Sequence, residues 1–344
     1  MAQWFFIAIL SRAMTDPANP TIRNADLAEA RCPVCGDSAK YEFSSRDLMF
    51  DRYERFDYLC CRGCGAVFLD PMPDMATIAG FYPANYDIYD EPAPIRKIGP
   101  LRRAVLADKG YGHLAPSLAL RFLARLLAPF LATDTPEYVP GGRMLDVGCG
   151  NGRYLSTMRN LGWQVQGVEF SDDGVRVCRK ADLPVHHGDL ASARFPDASF
   201  DLVTVRHVIE HIPEPRPFMA ELSRILRPAG VLILETPNSN ALGRAWFGPN
   251  WFANEVPRHL ILYSLPTLSL LASQYRLKVS SAVLDTTPKI FLNSVDYVIG
   301  NRRRPSKRIA WRRFLARLYV LLAKRSGKGD VIHARLVKPR ASGG

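Results

Sequence analysis

The sequence predicts an α/β chain: a doubly wound, largely parallel sheet of seven strands preceded by a small four-cysteine module. Three observations predict it. From Arg143 onward short apolar runs alternate with helical segments. The first of those runs empties into a turn carrying Gly148, Gly150 and Gly152. Two C-x-x-C pairs, Cys32/Cys35 and Cys61/Cys64, stand ahead of them.

At 344 residues the chain has room for two domains. Hydrophobic residues at 47% and charged residues at 23% argue for a folded chain and against a disordered or membrane-spanning one. The net charge of +12 is unevenly placed. Residues 302 to 340 hold 14 Lys and Arg against the single acid Asp330, which leaves about −1 for the rest. A global basic field, the footprint of a nucleic-acid binder, is therefore absent, and nucleic acid is a disfavoured partner.

Taken in order, residues 1 to 30 are expected to be an extension outside the fold. Trp4 to Leu10 is apolar but lacks the basic start and cleavage pattern of a signal peptide, and Met14 is the expected true start. Residues 31 to 73 form the cysteine module. Its two knuckles, Cys32-Pro33-Val34-Cys35-Gly36 and Cys61-Arg62-Gly63-Cys64-Gly65, suit one tetrahedral structural Zn²⁺, with a hairpin from Tyr41 to Phe50 and Phe56 to Leu59 in the interval. Cys61 and not Cys60 keeps the spacing. Metal-bound thiolates beside three spare cysteines point to a reducing cytoplasm. Residues 74 to 140 are a linker, with an aromatic stretch from Phe81 to Tyr89 and an amphipathic helix whose apolar positions are Leu118, Phe122, Leu123, Leu126 and Leu127.

The last domain, residues 141 to 340, supplies the sheet. Its strands are expected at Arg143 to Val147, Gln164 to Val168, Pro184 to His187, Asp201 to Val205, Val231 to Leu234, Ser280 to Leu284 and Val331 to Val337. A basic amphipathic insertion lies at about 288 to 330. The glycine turn after the first strand lets bare backbone N–H groups approach a ligand. A dinucleotide site reserves two residues before its third glycine, whereas only one stands here.

The run Asp146-Val147-Gly148-Cys149-Gly150-Asn151-Gly152 resembles the first motif of the class I S-adenosylmethionine-dependent methyltransferases, whose fold is Rossmann-like. Glu169 follows about 20 residues on, where such folds place an acid against the ribose hydroxyls. The resemblance spans roughly Arg143 to Pro237. It implies a cofactor, S-adenosylmethionine, against Asp146, Gly148, Cys149, Gly150, Gly152, Glu169, Phe170, Asp189, Leu190 and His207, with Asp189 toward the adenine amino group.

His207-Val208-Ile209-Glu210-His211 follows the fourth strand. As H-x-x-E-H it also matches a zinc peptidase string, but such a site needs both histidines on a stable helix with a third ligand downstream, whereas these residues follow a strand and Pro213 and Pro215 are expected to cut any helix short. It is more similar to the E-x-x-E-H-V segment of ubiquinone-pathway O-methyltransferases, with His207 in place of the first Glu. His207, Glu210 and His211 are thus candidate catalytic groups. His259 is the fourth, in Val256-Pro257-Arg258-His259-Leu260 behind an aromatic segment, Trp246 to Trp251, that fits no regular element. That stretch resembles the W…P-R-H-L segment of methyltransferases encoded with glycan assembly enzymes.

The expected function is methyl transfer to an oxygen of a sugar, glycan or related small molecule. An rRNA base methyltransferase with a zinc module and a non-enzymatic S-adenosylmethionine binder are the alternatives. The basic helix of residues 302 to 325, with Trp311, Phe314, Leu315, Leu318, Leu321 and Leu322 as its apolar stripe, reads either as a peripheral contact with the inner membrane surface or as a helix packed on its own domain.

Overall fold

A computed structural model describes residues 30–51, 55–82, 99–114, 117, 120, 122, 125, 135–300 and 310–340. The expected extension to residue 29, the aromatic stretch beyond Tyr82, the basic run at 301–309 and most of the linker helix lie outside them.

In chain order the strands are β1 (Ala39–Ser45), β2 (Phe56–Cys61), β3 (Val67–Asp70), β4 (Arg143–Val147), β5 (Gln164–Glu169), β6 (Val185–His187), β7 (Phe200–Arg206), β8 (Leu226–Pro237), β9 (Ile261–Leu262), β10 (Lys278–Asp285) and β11 (Val331–Val337). The α-helices are α1 (Met75–Gly80), α2 (Pro100–Ala107), α3 (Arg153–Asn160), α4 (Asp172–Lys180), α5 (Pro215–Ile225), α6 (Leu242–Phe247), α7 (Leu265–Ser273), α8 (Pro288–Val298) and α9 (Ala310–Arg325).

The large sheet has the order β10-β11-β8-β7-β4-β5-β6. β4, β5 and β6 are parallel, and β10 and β11 are antiparallel. The chain steps outward from β4 to β6 and then returns to the other side of β4. Such a reversal of strand order marks where a doubly wound sheet opens a ligand crevice at its carboxyl edge. The class I methyltransferase architecture expected from the sequence is therefore present.

By residue contacts the chain divides into two compact units. One gathers Met1–Asn85, Val205–Ser223 and Ile233–Pro339; the other gathers Tyr86–Thr204, Arg224–Leu232 and Arg340–Gly344. In the first unit the cysteine strands form a second sheet, β1-β2-β3-β9, in which Val67 and Phe68 pair with Leu262 and Ile261.

Two local expectations change, the start of β8 and the segment from Trp246. β8 begins at Leu226 and not at Val231, and the proline it thereby includes, Pro228, is exposed together with Ala229. Only a 3-10 turn, Ile209–His211, precedes the prolines, so no stable helix carries His207 to His211, and Pro215 opens α5, as proline does at a first turn, where its N–H would be unbonded anyway. The segment from Trp246 is regular after all: α6 runs to Phe247, and tight turns follow at Gly248–Asn250 and Phe252–Asn254. Trp251 is fully buried among Phe247, Phe291, Tyr319 and Ala323, and its Nε1 donates to Asp330 Oδ1 at 2.9 Å. Trp251 therefore serves as a core plug.

Candidate active site

The loop after β4 belongs to the second unit. Met144 to Val147 are buried, and the chain turns at once through Gly148, Gly150 and Gly152, whose φ angles are 69°, 55° and 71°. Left-handed backbone costs a side-chain residue about 1 kcal/mol or more, which is why glycine stands there. Gly148 and Cys149 N–H donate to Val168 O at 2.8 and 3.1 Å, tying the turn to the end of β5. A Cβ on Gly152 would run into Leu183 and Cys178, so this glycine serves packing. A Cβ on Gly150 would meet nothing within 4 Å. A side chain there would have room but would sit on left-handed backbone.

Glu169 is 6% exposed, and both of its oxygens are held: Gly150 N–H donates to Oε2 at 2.7 Å and Ser171 N–H to Oε1 at 2.8 Å. The carboxylate thus braces the loop against the start of the next segment. Phe170, next in sequence, exposes its ring. Asp189 is exposed, with Oδ1 accepting Ser192 N–H at 2.7 Å, and Leu190 is buried beside it. Two residues act from beneath. Asp146, 2% exposed, accepts the Thr204 hydroxyl at 2.5 Å, and the Cys149 side chain points inward to Cys178, Sγ to Sγ 3.9 Å. Cys178, which in turn donates to Gly150 O at 3.4 Å, was not foreseen.

The candidate catalytic residues belong to the first unit. Glu210, on a single 3-10 turn at Ile209–His211, is wholly buried. His207, at φ 53°, places Nδ1 3.2 Å from Glu210 Oε1, and the Thr236 hydroxyl donates to Glu210 Oε2 at 2.9 Å. Burial opposes the Glu210 charge, but the bond from His207 and the nearby imidazoles win and hold its pKa near 2. Burial likewise opposes protonation of His207, and the Glu210 carboxylate outweighs it and raises the pKa. An ionised Glu210 accepts the Nδ1 proton, which leaves Nε2 of His207 with the lone pair. Over half of that side chain is exposed.

His211 and His259 stack edge to face at 4.8 Å. Each has Nδ1 at a backbone carbonyl, His211 at Arg258 O (2.9 Å) and His259 at Ala253 O (2.8 Å). A carbonyl only accepts, so Nδ1 of both rings carries a hydrogen, and Nε2 of His259 lies 3.7 Å from Glu255 Oε2. Burial, then His259, lowers the pKa of His211 and keeps it neutral. Glu210, His211 and His259 offer ligand atoms within 4.8 Å of one another, a set able to hold a proton or a divalent cation. The structure thus brings together all four residues named from sequence. It adds Tyr82, whose hydroxyl lies 3.0 Å from His211 Nδ1.

The W…P-R-H-L segment carries a second unforeseen feature. Arg258 is wholly buried and pairs with the wholly buried Asp47 at 2.7 Å, with Glu255 adding a contact at 3.2 Å. Asp47 also accepts the N–H groups of Met49 and Phe50. Arg258→Ala is expected to lower the unfolding free energy by about 3 kcal/mol in urea titrations, since Asp47 would remain buried without its counter-charge. Arg258→Met combined with Asp47→Asn, which keeps an acceptor for the Met49 and Phe50 N–H groups, should recover most of that loss, and no recovery would remove the pair as the cause.

In the cysteine module Cys32, Cys35, Cys61 and Cys64 bring their sulfurs within 4.8 Å of one another, and Cys60 is outside the group. Sγ–Sγ distances are 3.6 Å for Cys32–Cys64 and 3.4 Å for Cys35–Cys61, far beyond a disulfide bond. Val34 and Cys64 N–H donate to Cys32 and Cys61 sulfur at 3.4 Å, and Gly36 and Gly65 supply the positive φ that each knuckle needs.

Residues 111–282 match the family model described as a methyltransferase domain. The chain belongs to the methyltransferase family. It is an S-adenosylmethionine-dependent enzyme. Among its relatives, a ubiquinone biosynthesis O-methyltransferase of Xanthomonas campestris pv. campestris is 30% identical over 165 residues, covering 45% of this chain and 68% of the relative. One of Xanthomonas oryzae pv. oryzae is 34% identical over 166 residues, with the same coverage. A solved SAM-dependent methyltransferase from Archaeoglobus fulgidus aligns at 17% identity and TM-score 0.42, covering 63% of this chain and 94% of that one.

Proposed function

We propose that this methyltransferase methylates an oxygen of a sugar, glycan or related small-molecule intermediate, with His207 as the general base. The observation that carries the proposal is the His207–Glu210 pair. A buried carboxylate fixes the imidazole tautomer and leaves Nε2 to take the hydroxyl proton, the relation of base to orienting group found in many transfer enzymes. S-adenosylmethionine, when bound, supplies an electrophilic sulfonium methyl. Glu169 and the amides of Gly150 and its neighbours hold the nucleoside, Phe170, Asp189 and Leu190 border the base, and His211 and His259 orient the acceptor. The sugar assignment is supported by the likeness of Trp251 to Leu260 and of the cysteine module to glycan-cluster methyltransferases. Zinc on Cys32, Cys35, Cys61 and Cys64 is part of the same proposal.

The relatives named for ubiquinone biosynthesis favour a second reading, a phenolic quinone precursor as acceptor. A screen with labelled methyl donor decides between them. Incorporation into sugar nucleotides or polyprenyl-linked sugars is expected, and label in catechol-type precursors alone would overturn the sugar reading. His207→Gln should lower kcat by about 100-fold, the lower end of general-base contributions, with the donor KM nearly unchanged. An unchanged kcat removes His207 as the base.

A further inference from the structure

The helix α9 has two apolar faces, and only one of them is used by the protein. Ala316, Tyr319 and Ala323 recur at spacings of three and four and are buried against Phe291, Leu292 and Val295 of α8. Trp311, Phe314, Leu318, Leu321 and Leu322 follow the same spacing on another side of the helix, and they are between 41% and 67% exposed. Five of the eleven exposed large apolar side chains among the described residues therefore lie on this one helix. Scattered exposed leucines are ordinary; a stripe along a single helix is not.

The charge beside the stripe is one-signed. Arg313, Arg317 and Arg325 are exposed along α9, and the helix contains no acid. Two of its cations meet acids of neighbouring elements: Arg312 lies 3.6 Å from Asp296 and Lys324 2.9 Å from Asp285. In sequence, Arg302, Arg303, Arg304, Lys307 and Arg308 precede the helix. A convex apolar ridge with a basic rim and an aromatic residue at one end is complementary to a bilayer with anionic headgroups, because the rings and leucines enter the acyl boundary while the cations meet phosphate. RNA could meet the cations with phosphate and stack bases on Trp311 and Phe314, but it would leave Leu318, Leu321 and Leu322 without an apolar partner, so the ridge fits a bilayer better. At 16 residues α9 is about 24 Å long, and no described helix is long and apolar enough to cross a membrane, so the contact lies in the plane of the surface.

We propose that the exposed face of α9, centred on Trp311, Phe314, Leu318 and Leu322, docks the methyltransferase onto an anionic lipid bilayer. The docking would place the enzyme where lipid-linked acceptors reside. It does not depend on which acceptor is methylated.

Vesicle flotation of the full chain tests it, with phosphatidylcholine vesicles containing about one third phosphatidylglycerol and with pure phosphatidylcholine. The wild type is expected to float with the anionic vesicles and at least about ten-fold less with the neutral ones, and 0.5 M salt should weaken the difference. Phe314→Glu with Leu318→Glu should abolish flotation, and Arg313→Glu with Arg317→Glu should erase the preference for anionic lipid. Both pairs lie on exposed positions, so melting temperatures should stay near that of the wild type. No flotation of the wild type overturns the proposal, as does equal flotation of the Phe314/Leu318 variant. A wild type that dimerises through this face without floating, and becomes monomeric in that variant, also overturns it and assigns the face to self-association.

Discussion

Replacing Glu169 with alanine is expected to weaken S-adenosylmethionine binding by two to three orders of magnitude in titration calorimetry. Two losses combine. The carboxylate would no longer accept ribose hydroxyls, and the Gly150 and Ser171 amides that it now holds at 2.7 and 2.8 Å would lose their brace. Hydrogen bonds to a charged group contribute about 1.5 to 3 kcal/mol each, so losing two with some compensation from water costs about 3 to 4 kcal/mol. At about 1.4 kcal/mol per factor of ten, that gives the expected range. Glu169→Gln should fall between, since one of the two amides would face the side-chain nitrogen. Gly150→Ala separates the brace from the space beside it. It has steric room in the free protein and pays only for left-handed backbone, about 1 kcal/mol of stability. A loss of donor affinity well beyond ten-fold in that variant would report a ligand occupying the space where Cβ now sits. Full affinity in Glu169→Ala would remove the loop from the binding site.

What the sequence disclosed was what local chemistry dictates. The glycine turn, the acid closing β5 and the knuckles were readable because each needs a particular residue within a few positions of another. The strands were readable because both faces of a parallel sheet are covered, which leaves short continuous apolar runs. The features that escaped are pairings over long stretches of chain. Asp47 stands in an ordinary loop, and nothing near it announces that Arg258, 211 residues later, will share its burial. Tyr82 meets His211 across 129 residues, and Cys178 reaches the glycine loop from the last turn of a helix. The two-residue strand β9 is too short for any periodicity, yet it completes the cysteine sheet. In α9 the stripe was visible in sequence, but which apolar face would pack depended on small residues, Ala316 and Ala323, that let α8 approach closely.

Removing the metal expected in the cysteine module should have the largest effect on stability. Zinc bound by four thiolates at about 2.3 Å sets the sulfurs about 3.8 Å apart along the edges of a tetrahedron. The 3.4 and 3.6 Å separations here are close to that spacing, so the chain has already gathered its ligands. The surrounding sheet is small, and much of what it holds is attached to the knuckles. The Thr267 hydroxyl donates to Cys64 O at 2.7 Å, Arg216 donates to Val34 O at 2.8 Å, and Tyr58 beneath them donates to His259 O at 2.8 Å. Structural zinc in such sites is worth about 10 kcal/mol or more, more than a typical domain has to spare. Elemental analysis should therefore find one zinc per chain in the native protein and little in Cys61→Ser, which should melt early and lose turnover as the carbonyl-anchored His259 is released. Cys60→Ser is the control, because its sulfur lies outside the cluster and should leave zinc and melting temperature unchanged. If the native protein contains no zinc and Cys61→Ser melts with the wild type, the four thiols are packing residues and the module stands without metal.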